Sequence, residues 1–177
     1  MADDALDRLV LRELREDDEA QVRAADEELR ADGFTFLLVA EGATWEEGLA
    51  QLRRERAGVD LPPGRVPCSF LVAELDGDVV ARTSVRHELN DFLERWGGHI
   101  GYGVRPAWRR RGVATEVLRR SLAHLREVAG VEVALVTCDD DNVASAATIE
   151  RCGGVLEDVV PGPDGEGPKR RYRVPTA

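Results

Sequence analysis

The chain has 177 residues, enough for one domain of ordinary size and too few for two full ones. Hydrophobic residues make up 43% and charged residues 33%, the balance of a soluble globular chain, and no apolar run approaches the ~20 residues of a membrane helix. A net charge of −10 argues against a general nucleic-acid binder. Three cysteines without a C-x-x-C pair, and three histidines without H-E-x-x-H, argue against a disulfide framework or a zinc site.

The opening MADDALDRLV is acidic where a secretory signal would be basic and then apolar, so a cytoplasmic location is expected. Leu9 to Arg12 alternates like a strand. Asp17 to Arg30 places Ala20, Ala24, Ala25 and Leu29 at helical spacing in a strongly charged background. Residues 1–32 carry 12 acidic and 5 basic groups, which reads first as a solvated helical face. Thr44 to Arg56 reads as a second helix, with Thr44 as N-cap and Glu47 closing a capping box. The segment 58–67, GVDLPPGRVP, is a loop. Ser69 to Glu74 and Val79 to His87 are strands joined through Asp76-Gly77-Asp78, a hairpin signal. Asn90 to Trp96 is a short helix or ordered loop.

Gly98 to Arg105 is a strand stopped by Pro106, which cannot donate to a ladder. Gly112 to Val128 is the clearest helix, with Ala114, Val117, Leu118, Ser121, Leu122 and Leu125 on one stripe. Val131 to Thr137 is an apolar strand. Asn142 to Cys152 is a helix with Asn142 as N-cap and Gly153 as stop. Val155 to Val160 and Lys169 to Val174 are strands flanking the turn-rich PGPDGEGP. The order β-α-α-β-β-β-α-β-α-β-β implies an α/β sheet that is partly antiparallel. The stretch 99–137 is expected to be a right-handed crossover between parallel strands.

The chemistry concentrates at Arg105 to Thr115, R-P-A-W-R-R-R-G-V-A-T, which follows a strand and opens the clearest helix. A helix N-terminus offers unpaired N–H groups and partial positive charge, a ready anion site. Gly112 lets the backbone approach closely. Residues 105–120 hold six Arg against one Glu, which points to a polyphosphate in an otherwise acidic protein. Neither a P-loop nor a G-x-G-x-x-G turn opens this helix.

Arg109-x-x-Gly112-x-Ala114 resembles the Q/R-x-x-G-x-G/A signature of the GNAT superfamily of N-acetyltransferases. Asn142-x-x-Ser145, followed by Glu150-Arg151-Cys152-Gly153-Gly154, is similar to the family's second-motif helix. The resemblance covers 69–160 well and the first 60 residues in outline. It is closest to a bacterial branch without an assigned substrate. It implies a single GNAT-like domain over 1–177, with variable substrate-side helices in 1–66 and a cofactor-binding core in 69–160. The implied fold is α/β (α+β), a mostly antiparallel twisted sheet of about six to seven strands flanked by about four helices. The implied donor is acetyl-CoA, its pyrophosphate held by Arg109, Arg110, Arg111, Gly112, Val113, Ala114 and Thr115. Gly103 and Val104 would serve the pantetheine arm and the oxyanion, Asn142 the pantetheine, and Ser145 the phosphate end. Family members often dimerise through C-terminal strands, so a homodimer is a further expectation.

Many members place a general-acid tyrosine in the second helix, where this chain has Ile149, and Gly154 stands where an aromatic is usual. The chemistry needs a base, an acid and oxyanion donors. His99 is a candidate base and Tyr102 a candidate proton donor, with a base acting through ordered water as the alternative. Strand alternation puts His99, Gly101 and Gly103 on one face and Ile100, Tyr102 and Val104 on the other. Asp139, Asp140 and Asp141 read as a solvated turn before the helix, or as an attractor for a cationic amine. Trp108 reads as packing, and Cys138 and Cys152 as small buried hydrophobes. The expected activity is transfer of an acetyl group to an amine, a small molecule or a protein N-terminus, by direct attack in a ternary complex. No nucleic-acid or membrane partner is expected. The acidic N-terminal half mildly favours a cationic acceptor. The alternatives are a non-catalytic acyl-CoA sensor of the same fold and an unrelated nucleotide-binding α/β domain.

Overall fold

The computed structural model describes residues 6–177. Strands β1 (Val10–Arg12), β2 (Cys68–Leu75), β3 (Asp78–Arg86) and β4 (Ile100–Val104) form a four-stranded sheet in that order. Strands β5 (Val133–Asp139), β6 (Val155–Val160) and β7 (Lys169–Pro175) form a second sheet in the order β5-β7-β6. Every paired strand is antiparallel. The principal helices are α1 (Glu19–Arg30), α2 (Trp45–Ala57), α3 (Val113–Ala129) and α4 (Val143–Arg151). The expected element order is therefore present throughout.

Local chemistry accounts for the ends. Thr44 accepts from Glu47 N–H while the Glu47 carboxylate accepts from Thr44 N–H, the reciprocal capping box of α2. Gly58 then ends α2 in the left-handed region, at φ 69°. Asn142 caps α4 by accepting from Ser145 N–H at 3.1 Å.

The expected parallel crossover takes a different form. β4 and β5 are hydrogen-bonded just before β4 begins, where His99 N–H donates to Leu135 O (2.7 Å) and Leu135 N–H donates to His99 Nδ1 (3.0 Å). Gly98 permits this approach, since a Cβ there would lie 2.6 Å from Leu135 O. Beyond that point the strands separate into different sheets. The Tyr102 side chain occupies the opening and reaches Ser145 on α4.

The two faces of the first sheet pack differently. Ile100, Val85, Leu118, Leu122 and Leu125 belong to the core under α3, joined by Val136 and Ile149 from the other half. Phe70, Val72, Leu29, Phe36, Leu49 and Leu52 form the core beneath α1 and α2.

Candidate active site

The register of β4 on β3 decides which backbone groups are free. Arg105 N–H donates to Val80 O, and Arg86 N–H donates to His99 O. Antiparallel alternation between these points turns Gly101 and Gly103 toward β3, and Ile100, Tyr102 and Val104 toward the unpaired edge. Val104 O at this edge accepts from Arg109 Nε at 3.0 Å. Of the two residues expected to serve an oxyanion, Val104 therefore carries the free N–H, and the amide of Gly103 faces the ladder.

The Arg109–Thr115 segment follows directly. Arg110 takes φ 60° and Gly112 φ 82°, so two left-handed residues turn the chain into α3. Among the described residues, no side chain caps this helix. The first amide to find a carbonyl four residues back is that of Glu116, on Gly112 O at 3.1 Å. The preceding amides of Val113, Ala114 and Thr115 are left for a ligand or water. At the other wall Cys152, just after α4, donates its thiol to Thr115 O at 3.6 Å. The two motifs thus lie side by side, at the mouth of the opening between β4 and β5.

Much of the arginine excess is committed inside the protein. Arg105 makes a two-pronged contact with Glu28 at 2.9 and 2.6 Å, and Arg109 pairs with Asp32 at 2.6 Å. Arg119 and Arg120 both pair with Glu116. Among the described residues, Arg110 and Arg111 have no carboxylate partner, and Arg111 stacks on Trp108 at 5.4 Å. Part of the acidic N-terminal excess therefore holds Arg105 and Arg109 in place. Asp139 and Asp140 pair with Lys169 (2.5 Å) and Arg170 (2.7 Å), which makes that cluster an anchor for β7.

The two candidate catalytic side chains part company. Tyr102 Oη lies 3.0 Å from Ser145 Oγ, and burial pushes its phenol up to about 12, so it holds its proton at neutral pH. His99 is buried, at 7% exposure, and its Nδ1 is spent accepting from Leu135 N–H. Burial lowers its basicity further. The geometry makes it the clasp between the two sheets, not a free base. Ile149 is fully buried in the core beneath α4, which accounts for an apolar residue there. Cys138 is a buried thiol pushed up to about 11, in keeping with a packing role.

The glycine face of β4 looks toward α1 and α2. The space above Gly103 is filled by the Phe34 ring, 2.4 Å from where a Cβ would stand. Phe34 in turn covers the Arg82 guanidinium at 4.4 Å. The sequence reading passed over Phe34, Arg82, Arg86 and Glu55. A usable signal was present, because Arg82 and Arg86 share one face of the otherwise uncharged strand VVARTSVR.

Together these features define an α/β protein with an uncapped, glycine-opened helix beside a free strand edge, an arrangement whose unpaired amides could hold an anion. A family model, the acetyltransferase (GNAT) domain, matches residues 8–155. The chain belongs to the GNAT acetyltransferase family, and its acetyl donor is acetyl-CoA. No curated protein matches at the sequence level. Among solved structures it is similar to Mycobacterium smegmatis RimJ in complex with CoA-disulfide, at 20% identity and TM-score 0.70, covering 94% of this chain and 81% of that one. It is also similar to the microcin C7 self-immunity acetyltransferase MccE in complex with acetyl-CoA and AMP, at 14% identity and TM-score 0.66, covering 96% and 93%. A spermidine N-acetyltransferase SpeG chimera from Vibrio cholerae and hSSAT aligns at 15% identity and TM-score 0.65, covering 96% of each chain. At these identities the likeness concerns the fold. Among the described residues, no helix is long and apolar enough to cross a membrane.

Proposed function

We propose that this protein moves the acetyl group of acetyl-CoA directly to an amine in a ternary complex, with the thioester lying at the opening between β4 and β5. When bound, acetyl-CoA supplies an activated thioester. The residues around the opening suit the remaining work. The amides of Val113, Ala114 and Thr115, with Arg110 and Arg111, offer an anion site for the pyrophosphate. Arg109 holds the end of β4 through Val104 O. Val104 N–H is the oxyanion donor at the free edge. Asn142 and Ser145, at the start of α4, complete the cofactor side.

Transfer forms a C–N bond and breaks the C–S bond. Tyr102 gives a proton to the leaving sulfur, the proton lost by the amine passes through ordered water to solvent, and Tyr102 regains a proton from solvent, so that free thiol and amide leave a neutral phenol behind. The Tyr102–Ser145 contact, on a phenol protonated at neutral pH, is the observation that carries this assignment. We assign His99 a positioning role.

The test is a continuous assay of thiol release with an amine panel. Tyr102→Phe should lower kcat about a hundredfold with the KM for acetyl-CoA unchanged. Undiminished kcat in that variant would remove Tyr102 from the chemistry. No turnover with any amine, in protein that binds acetyl-CoA, would favour the sensor alternative.

Two coarser readings accompany this one. All three cysteines are free, as suits a reducing cytoplasm. β6 is an edge strand exposing Val155, Leu156 and Val159, a surface fit for a homodimer. Light scattering at micromolar concentration decides between monomer and dimer.

A further inference from the structure

On the glycine face of the first sheet lies a cavity of 400 Å³, a size that suits a small ligand. Its floor is β3, where Ser84 and Arg86 stand beside Gly101 of β4. A Cβ on Gly101 would lie 3.3 Å from Ser84 Oγ and 3.7 Å from Arg86. Leu52, Val66, Phe70 and Leu93 make most of the remaining wall apolar.

Two opposite charges share this apolar space without meeting. Arg86 donates to the carbonyls of Gly97 (3.1 Å) and Gly98 (3.0 Å) and forms no ion pair among the described residues. Behind it on the same strand face, Arg82 is 5% exposed and reaches Thr35 O at 2.7 Å. Among the described residues Arg82 has no carboxylate partner either, and its Nε is a buried donor without an acceptor. Burial pulls its guanidinium down to about 9, and Arg86 adds to the effect. Among the described residues no carboxylate pairs directly with either guanidinium, and Asp26 acts on Arg82 only at a distance. Across the cavity Glu55 on α2 is 7% exposed; its Oε1 accepts from Gln51 Nε2 at 2.9 Å, and among the described residues it too has no ion pair. Buried charges are costly unless something pairs with them. A ligand carrying the complementary charges would satisfy both walls at once.

We propose that this cavity is the acceptor subsite and takes an amino acid with an apolar side chain, its carboxylate on Arg86 and its ammonium toward Glu55. This rests on the acetyltransferase reading and narrows it. A polyamine lacks the anion that Arg86 calls for, and a peptide N-terminus has its first carboxyl tied up as an amide. The mild expectation of a simple cationic acceptor is thereby replaced.

The experiment compares L-leucine, L-leucinamide, isopentylamine and spermidine as acceptors for the full chain with acetyl-CoA. L-leucine should exceed the other three in kcat/KM by at least about tenfold, the worth of a charged hydrogen bond. Arg86→Met should abolish that preference, and Glu55→Gln should raise the KM for L-leucine. Leucinamide used as well as leucine, or a preference unchanged in Arg86→Met, overturns the proposal. The wild-type comparison stands even if the variants fail to fold. If acetyl-CoA binds and none of the four is acetylated, binding of N-acetyl-L-leucine against its amide, followed by ligand-observed NMR, decides. A preference for the acid supports the cavity assignment, and equal or absent binding overturns it. Failure of acetyl-CoA itself to bind would instead refute the acetyltransferase reading, and leucine against leucinamide binding would still judge the cavity.

Discussion

Ser69 shows how single residues set conditions for the whole chain. Its buried hydroxyl lies 2.8 Å from His87 Nε2 and 3.0 Å from His124 Nε2. Burial lowers the pKa of both imidazoles, and Arg56 pushes each further down, against weaker opposition from Glu88 and Glu127. His99 shifts the same way, through burial at its clasp on Leu135. A lowered pKa in the folded state means that the unfolded chain takes up protons first. Stability is then full above the ordinary histidine value of about 6.5 and is lost as pH falls through it toward the folded values. The melting temperature should fall between pH 7.5 and 5.5, and His87→Gln with His124→Gln should flatten that slope. A melting temperature that holds or rises over this range would contradict the assignment. Tyr102 and His99 carry a related lesson. Tyr102 was legible as a chemical candidate, because a tyrosine on a glycine-rich strand draws attention. His99 was equally visible, but only the structure shows its Nδ1 occupied.

Elements were more legible than their partners. The capping box at Thr44 and Glu47, the asparagine cap at Asn142 and the stop at Gly153 are local chemistry, written in a few consecutive residues. Thr44→Ala should cost about 1 kcal/mol, measured by urea unfolding, and no loss would mean the cap is redundant. What lies between elements was not legible. The run FTFLLV, 34–39, forms neither helix nor strand, yet it buries Phe36 and lays Phe34 on Arg82. Nor does sequence spacing show that Glu28 and Asp32, near the end of α1, tie down Arg105 and Arg109 some 77 residues later. For the helix that opens at Gly112, two variants separate conformation from charge. Gly112→Ala bears only the left-handed backbone, costing roughly 1–2 kcal/mol, and crowding against Leu6. Gly112→Glu adds negative charge where the pyrophosphate would sit. Calorimetry should find acetyl-CoA binding kept, though weakened, in the alanine variant and lost in the glutamate one. Equal affinities would refute the placement of the phosphates.

At the scale of the molecule, the strand order follows from turns and periodicity, and the division of the sheet does not. The Gly98–Leu135 approach and the Tyr102–Ser145 contact depend on residues 37 and 43 positions apart, beyond the reach of any local pattern. The first holds β5 against the start of β4 and the second fills the gap that opens beyond it; the edge of β4 is left free there, and the account of function hangs on that edge. Its central claim is that the opening between the sheets, with the start of α3, binds acetyl-CoA. The most direct measurement is a thermal-shift titration with acetyl-CoA, desulfo-CoA and ATP. At a hundred times its Kd a ligand stabilises the folded state by about 2.7 kcal/mol, a rise of several degrees at this size. The account predicts a saturable rise with both CoA compounds and none with ATP. No rise with either CoA compound, in protein shown to be folded and free of bound cofactor, would contradict it.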